Sequence, residues 1–161
     1  MRISITIIAV AMLVLSCKPP ENKSANNVAL TQKMFYAFNN HHWEAMANCY
    51  TDSALFLDPA FGKTYVKQSR AETMEKYSRF QRAFPDIHDE IGAMYPSDNK
   101  VIVEFSSTGK MANGESFQLP IITVLTFENN LIVKDATYYD VENSGEENSE
   151  EEGNPEQDEI P

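Results

Sequence analysis

The spacing of apolar residues changes once along this chain, at Pro85. Before it, large apolar side chains recur at intervals of three and four. From Ile87 onward they alternate with polar ones. The first pattern puts one stripe of a helix inside; the second puts one face of a strand inside. Helices first, then strands joined by short turns, can bury both sets only by laying the helices on one face of a sheet. That is an α+β layer arrangement.

Val28, Thr31, Phe35 and Phe38 mark a first amphipathic helix, capped by Asn26 or Asn27 and ended by Asn39-Asn40. Trp43, Met46, Ala47 and Tyr50 form the stripe of a second. His41 and His42 at its start point in different directions, which makes them poor joint metal ligands and suits them to surface or capping roles. Thr51-Asp52-Ser53 reads as a turn, Ala54 to Asp58 as the first strand and Phe61 to Lys67 as a loop. Ser69-Arg70-Ala71-Glu72 is a capping box. The third helix it opens turns Ala71, Met74, Tyr77, Phe80 and Phe84 inward and leaves Lys76, Arg79 and Arg82 on the wetter side, until Pro85 stops it. Four strands follow: Ile87 to Tyr95, a strand carrying Val101, Val103 and Phe105 on one face, Ser116 to Phe127, and Leu131 to Val141. Pro96 to Asn99, Asn113-Gly114 and Asn129-Asn130 supply the turns, and Pro120 marks an edge or bulge.

The two ends read differently from this body. Ile3 to Leu15 is an apolar run of thirteen residues after a lone Arg2, too short for an ordinary spanning helix. It runs into Val14-Leu15-Ser16-Cys17, which resembles the bacterial lipoprotein signal, whose cysteine is lipidated after cleavage. The resemblance implies a signal over residues 1–16, a lipid on Cys17, a polar linker over 17–26 and a chain anchored to a membrane of the bacterial cell envelope. A short N-terminal anchor or an ordinary signal peptide is the other reading. Cys49 is the only other cysteine, lies among apolar neighbours and suits a buried, unreactive thiol. Residues 142–161 hold nine acids and no Lys or Arg, with one large apolar residue, so this tail cannot bury enough surface to order itself. The net charge of −11 is therefore mostly the tail's. Without the tail and Arg2, fifteen acids face twelve bases. No basic patch with interleaved aromatics exists, which argues against nucleic acid as a partner.

Asp58 is the first candidate for chemistry. It sits between the apolar run Ala54 to Leu57 and Pro59, which disfavours helix at Asp58 and has no ladder donor. A strand-end acid held half-desolvated in a pocket has a raised pKa and can act as a general base. The same acid in an exposed turn stays ionised and does nothing.

The element order and several strings resemble the nuclear transport factor two-like superfamily, in particular its SnoaL-like branch, over residues 27–141. The strings are Trp43-Glu44-Ala45-Met46, Tyr50-Thr51-Asp52, Phe56-Leu57-Asp58-Pro59, Phe84-Pro85-Asp86, Gly109 and Gly114, and Tyr138-Tyr139-Asp140. The resemblance implies a cone of three N-terminal helices on a curved, mostly antiparallel sheet, with an apolar pocket at its open end. Phe35, Phe61, Tyr65, Tyr77, His88, Phe105, Phe117, Thr123 and Tyr138 are its candidate lining; dense aromatics are also what a plain core contains. Asp58-Pro59 with Gly62 is similar to the base-carrying stretch of the family's steroid isomerases, one residue longer. The two donors that those enzymes aim at an enolate oxygen fall here on Met34 and Thr123, a non-donor and a weak one, and Tyr36 points elsewhere on the helix. Steroid isomerase chemistry as such is therefore not expected. The SnoaL-like cyclases use a late aspartate, for which Asp140 is the match, sharing a strand face with Tyr138 and with His88 as partner. Asp140 as a strand cap and His88 as a surface histidine are the plainer alternatives.

Three functions remain: a lipid-tethered domain binding a small apolar molecule or pairing with a second copy through its sheet, an acid/base enzyme using Asp58 or Asp140, and an interaction domain in an envelope assembly. No serine-nucleophile motif, phosphate loop or metal spacing is present, and neither a metal nor a cofactor is expected.

Overall fold

The computed structural model describes residues 23–111 and 113–140. The signal over 1–16, Cys17, the linker up to residue 22 and the acidic tail lie outside the described residues. Three helices, α1 (Lys23–Asn39), α2 (Trp43–Ala47) and α3 (Arg70–Ala83), accompany six strands: β1 (Tyr50–Leu57), β2 (Val66–Ser69), β3 (His88–Ser97), β4 (Lys100–Lys110), β5 (Ser116–Glu128) and β6 (Leu131–Tyr138). The strands form one sheet in the order β2-β1-β6-β5-β4-β3. Only β1 and β6 run parallel; every other pair is antiparallel. This is the expected α+β arrangement of helices on a mostly antiparallel sheet.

The helices form as their sequences dictate, with shifted ends. α1 begins at Lys23, so Asn26 and Asn27 are inside it rather than capping it. Its buried face runs Asn27, Thr31, Met34, Phe35 and Phe38. His41 takes the left-handed conformation after it (φ 56°) and returns its amide to the Phe38 carbonyl, a C-terminal cap. The Ser69 capping box is present, with the Ser69 hydroxyl and the Glu72 carboxylate each meeting the other's amide. α3 turns Tyr77, Phe80 and Phe84 toward the interior as its apolar spacing suggests, with three departures. Thr73 is the buried residue, Ala71 is exposed, and Lys76 is turned inward.

Two stretches differ from the sequence reading. Tyr50 to Ser53 opens β1 instead of ending a helix and making a turn. The supposed loop before Ser69 contains β2, which pairs Val66 with Phe56 at the sheet edge. Both strands are held by tertiary pairing, which overrides weak local preference. Pro120 lies where β5 pairs with β4 through Ser106 but has passed the end of its pairing with β6 at Ile122–Tyr138, so among the described residues its other side is an open edge.

The register shifts at three places among the described residues: between Tyr50 and Leu55 where β1 meets β6, and at a bulge in each of two antiparallel pairs. Gly92 is the extra residue between the Ile91–Phe105 and Ala93–Glu104 pairs, and Val133 that between the Phe127–Ile132 and Thr126–Lys134 pairs. The core lies between the concave face and the helices, with Ile87, Val101, Val103, Leu125 and Ile132 fully buried. Cys49 is buried with its thiol toward the Ala45 carbonyl, and burial raises its pKa, as suits an unreactive thiol.

Candidate functional site

Between α1, α3 and the concave face of the sheet lies a cavity of about 790 Å³. Its walls are aromatic. Phe35 and Phe38 come from α1, Tyr77 and Phe80 from α3, Phe84 from the end of α3, Phe105 from β4 and Phe117 from β5. The rings meet edge to face: Phe35 and Phe105 at 5.0 Å, Phe38 and Tyr77 at 5.7 Å, Phe84 and Phe117 at 5.3 Å. Three sets of polar groups interrupt this apolar lining.

The first set surrounds Asp135, a buried carboxylate on β6. The Tyr50 hydroxyl donates to its Oδ2 at 2.7 Å; the hydroxyls of Thr123 and Thr137 donate to its Oδ1 at 2.6 and 3.1 Å. Burial, followed by the charge of Asp135, pushes the Tyr50 hydroxyl well above its usual pKa, so it stays a donor. Both carboxylate oxygens are met by the protein.

The second set is Asp58 with Lys76 and Tyr139. Asp58 caps the short 3-10 turn Pro59–Phe61 by accepting from the Ala60 amide. Its Oδ1 also accepts from the Tyr139 hydroxyl at 2.8 Å, and its Oδ2 takes Lys76 at 2.9 Å, with the two charged side chains 17% and 20% exposed. Burial alone would raise the Asp58 pKa. The Lys76 charge and hydrogen bond, with those of Ala60 and Tyr139, outweigh it and bring the pKa below the ordinary value. The raised pKa expected of Asp58 is therefore corrected: the acid is ionised and paired, which makes it a poor base. The Lys76 ammonium also stands 4.1 Å from the Phe61 ring centroid and 4.9 Å from that of Tyr77.

The third set is Asp89 with Ser107. Asp89 is 8% exposed, and its Oδ1 has no hydrogen-bond partner among the described residues. Burial raises its pKa to about 6 against the pull of a Ser107 hydrogen bond. The Asn39 side chain clamps the Asp89 backbone on both sides, donating to its carbonyl and accepting from its amide, each at 2.8 Å. The backbone that carries the carboxyl is thus fixed in place, and one carboxyl oxygen is left buried and unmet.

The residues nominated from sequence divide between the cavity and other surfaces. Phe35, Tyr77, Phe105, Phe117 and Thr123 line it, as do Asp58 and Asp140. Asp140 lies beyond β6 and is exposed. Four others are elsewhere. His88 is exposed, because Ile87 and its neighbour Asp89 take the inward positions of that strand. Tyr138 is 51% exposed on the outer face, because the Val133 bulge moves the inward set from Lys134, Ala136 and Tyr138 to Asp135, Thr137 and Tyr139. Tyr65 is exposed with Lys134 over its ring at 4.0 Å, and Phe61 packs beneath Lys76 outside the lining. Met34 and Thr123 both face the cavity, Thr123 with its hydroxyl committed to Asp135, and Tyr36 is 69% exposed. The donor pair of an isomerase is not supplied at these positions.

The inward Asp89, Asp135, Lys76, Tyr50 and Tyr139 were not singled out as site residues in the sequence. Strict alternation from Ile87 through Ile91 was a signal for Asp89; no local signal announced the bulge that turns Asp135 and Tyr139 inward. Among the described residues no His, Cys, Asp or Glu cluster could hold a metal ion, and no helix is long and apolar enough to cross a membrane.

Solved structures of the same fold are numerous. A protein from Catenulispora acidiphila with a ketosteroid isomerase-like fold, solved in complex with trimethylamine, is 18% identical at a TM-score of 0.62, over 76% of this chain and 87% of its own. A candidate SnoaL-like polyketide cyclase from Jannaschia is 13% identical at 0.63, over 76% and 91%. IdmH of Streptomyces antibioticus, a candidate polyketide cyclase, is 16% identical at 0.63, over 71% and 91%. At such identities the likeness is one of fold. No curated protein matches the chain. The model of the SnoaL-like domain matches residues 31–134, from the buried face of α1 to the bulged strand that carries Asp135, and the chain belongs to that family.

Proposed function

We propose that this SnoaL-like domain binds a small, largely apolar molecule in its cavity and is held at a membrane of the bacterial envelope by a lipid on Cys17. One observation carries the binding reading. A hollow of about 790 Å³ with aromatic walls contains a buried carboxylate, Asp89, one of whose oxygens no group among the described residues satisfies. Native cores fill such space and pair such groups; binding sites leave both for the ligand. The trimethylamine complex of the Catenulispora protein supports small-molecule binding as a role compatible with this fold. The direct test is extraction of the purified full-length protein followed by mass spectrometry. A stoichiometric small molecule that is released on denaturation and raises the melting temperature when added back supports the reading. An empty protein whose melting temperature no apolar compound moves would sink it. For the anchor, labelled palmitate should enter the wild-type chain in a bacterial host and be lost in Cys17→Ala.

A second reading has its own observation. An aspartic acid with a pKa near 6 is suited to taking and returning protons at neutral pH. Tyr77, pushed well above its usual pKa by burial and then by the charges of Asp135, Asp58 and Asp89, remains a neutral donor beside it. In an acid/base enzyme of the cyclase or isomerase kind, Asp89 would take the role that sequence suggested for Asp58 or Asp140. Solvent-deuterium exchange into a carbonyl compound bound in the cavity, lost in Asp89→Asn, would distinguish catalysis from binding alone. On the outer face Tyr138, Ile122 and Glu104 pair in a row across β6, β5 and β4, with both apolar members exposed. This is the surface a homodimer would cover, and light scattering at micromolar concentration would detect it.

A further inference from the structure

We propose that the cavity selects an organic cation: an amine or quaternary ammonium compound whose charged nitrogen lies against Asp89 and whose carbon groups lie on the aromatic walls. The proposal rests on the cavity being a ligand site and names the class of ligand.

The charges on the lining point this way. Among the described residues Asp58, Asp89, Asp135 and Asp140 face the cavity, against a single cation, Lys76. Lys76 is already taken by Asp58. Asp135 is met by three hydroxyls. Asp89 alone is buried with an oxygen unmet. An anionic ligand would approach this surplus of negative charge with no free cation to receive it. A neutral apolar ligand would leave the Asp89 oxygen as it stands, dehydrated and unpaired, which is the costly state of a buried charge. A cation removes that cost, and the aromatic rings that line the cavity favour positive charge on their faces. The fold already holds one cation this way: the Lys76 ammonium touches the Asp58 carboxylate at 2.9 Å while standing over the rings of Phe61 and Tyr77. The inference is that Asp89, in a cavity also lined by Phe35 and Phe105, repeats the arrangement for a cation that comes from outside.

The proposal has a pH signature. Asp89 is ionised above about 6 and neutral below it, so an amine that stays protonated throughout should bind about tenfold more weakly at pH 5 than at pH 7.5. The other groups around it are Asn39 and His41 at the end of α1, Lys76 and Tyr77 of α3, Asp58 after β1, Ser107 of β4, and Asp135, Tyr139 and Asp140 at and beyond the end of β6. Asp58 is held low and the tyrosines high, so Asp58, Tyr77 and Tyr139 do not change charge between pH 5 and 7.5. His41, Asp135 and Asp140 are separated from Asp89 by substitution: Asp89→Asn must abolish the pH dependence, whereas His41→Gln, Asp135→Asn and Asp140→Asn must keep it.

The experiment is calorimetric titration of the full-length protein with 4-phenylbutylamine, 4-phenylbutanol and 4-phenylbutanoate, which share a shape and differ in charge. The expected result is an amine affinity at least tenfold above that of the alcohol at pH 7.5, with little or no heat from the acid. Asp89→Asn should bring the amine to the level of the alcohol, and Asp98→Asn, in the turn between β3 and β4 and outside the lining, should leave the preference in place. A cooperative melt shows that each variant is folded, and Asp89→Glu, which keeps the charge, should retain a preference for the amine. Equal binding of amine and alcohol, unchanged by Asp89→Asn, would overturn the cation proposal and leave the apolar-ligand reading intact. No binding of any of the three, with no small molecule extracted from the protein, would overturn both.

Discussion

Replacing Asp89 with asparagine should make the protein more stable at neutral pH. In the folded state the carboxyl has a pKa of about 6 against an ordinary value of 3.8. The folded form therefore holds a proton that the unfolded form has lost between about pH 4 and pH 6. Stability falls as pH rises through that window. Above it, the cost of the ionised group is about 3 kcal/mol, from 1.36 kcal/mol per pH unit. Asp89 is 8% exposed, so solvent screens little of this. Asparagine has nearly the same shape, carries no charge and leaves the clamp of Asn39 on the backbone in place. The expected gain is about 2–3 kcal/mol at pH 7.5, shrinking below about 1 kcal/mol at pH 4, where the aspartic acid is itself largely neutral. In a domain of this size the neutral-pH gain is a rise of roughly 10 °C in melting temperature. Urea unfolding followed by the fluorescence of Trp43, the single tryptophan, measures both values. A loss of stability at pH 7.5, or an equal gain at both pH values, would refute the claim that this carboxylate is buried without compensation.

Lys76→Met should destabilise by about 1–2 kcal/mol at neutral pH, because it leaves Asp58 half-buried with its cation removed. In that variant the Asp58 pKa should rise, since burial is then opposed only by the Ala60 and Tyr139 hydrogen bonds, and carboxyl NMR would follow it. In the wild type, the contribution of this pair is present above the ordinary aspartate value and is lost as the pH falls through the lowered one. Tyr50→Phe removes the 2.7 Å donor to Asp135 and should cost about 1.5–3 kcal/mol in urea unfolding, the range for a hydrogen bond to a charged group. Gly109→Ala puts a methyl group 2.8 Å from Cε1 of Phe117, so the ring must turn. Ligand affinity should fall more than stability does, and comparing calorimetry with thermal melting would show it.

The layer arrangement was legible because it depends on periodicity summed over whole segments. The switch of period at Pro85, the capping box at Ser69 and the Asn113-Gly114 turn are strong, local signals, and each lies where it was read. The site was legible only in part. The aromatic walls came from regular helix and strand faces, so Phe35, Phe105 and Phe117 were found. The charged groups sit where regularity is broken. A single extra residue, Val133, turns Tyr138 outward and Asp135 and Tyr139 inward. Lys76 has the composition of a wet helix face, yet one carboxylate across the cavity draws it inward. Tyr50 continues the apolar spacing of α2 while belonging to β1, because strand pairing outweighs a five-residue helix. Asp89 was the one omission that strict alternation from Ile87 argued against.

The most direct measurement is a carboxyl NMR titration of aspartates in the full-length protein, with Asp89 and Asp58 assigned by Asp89→Asn and Asp58→Asn. A midpoint near 6 for Asp89 and one below the ordinary value for Asp58 are predicted, with the Asp89 midpoint falling when 4-phenylbutylamine is added. An Asp89 that titrates near 4 in the free protein would mean that water or an undescribed partner already satisfies it. The cavity would then lack the unmet charge on which its reading as a ligand site depends.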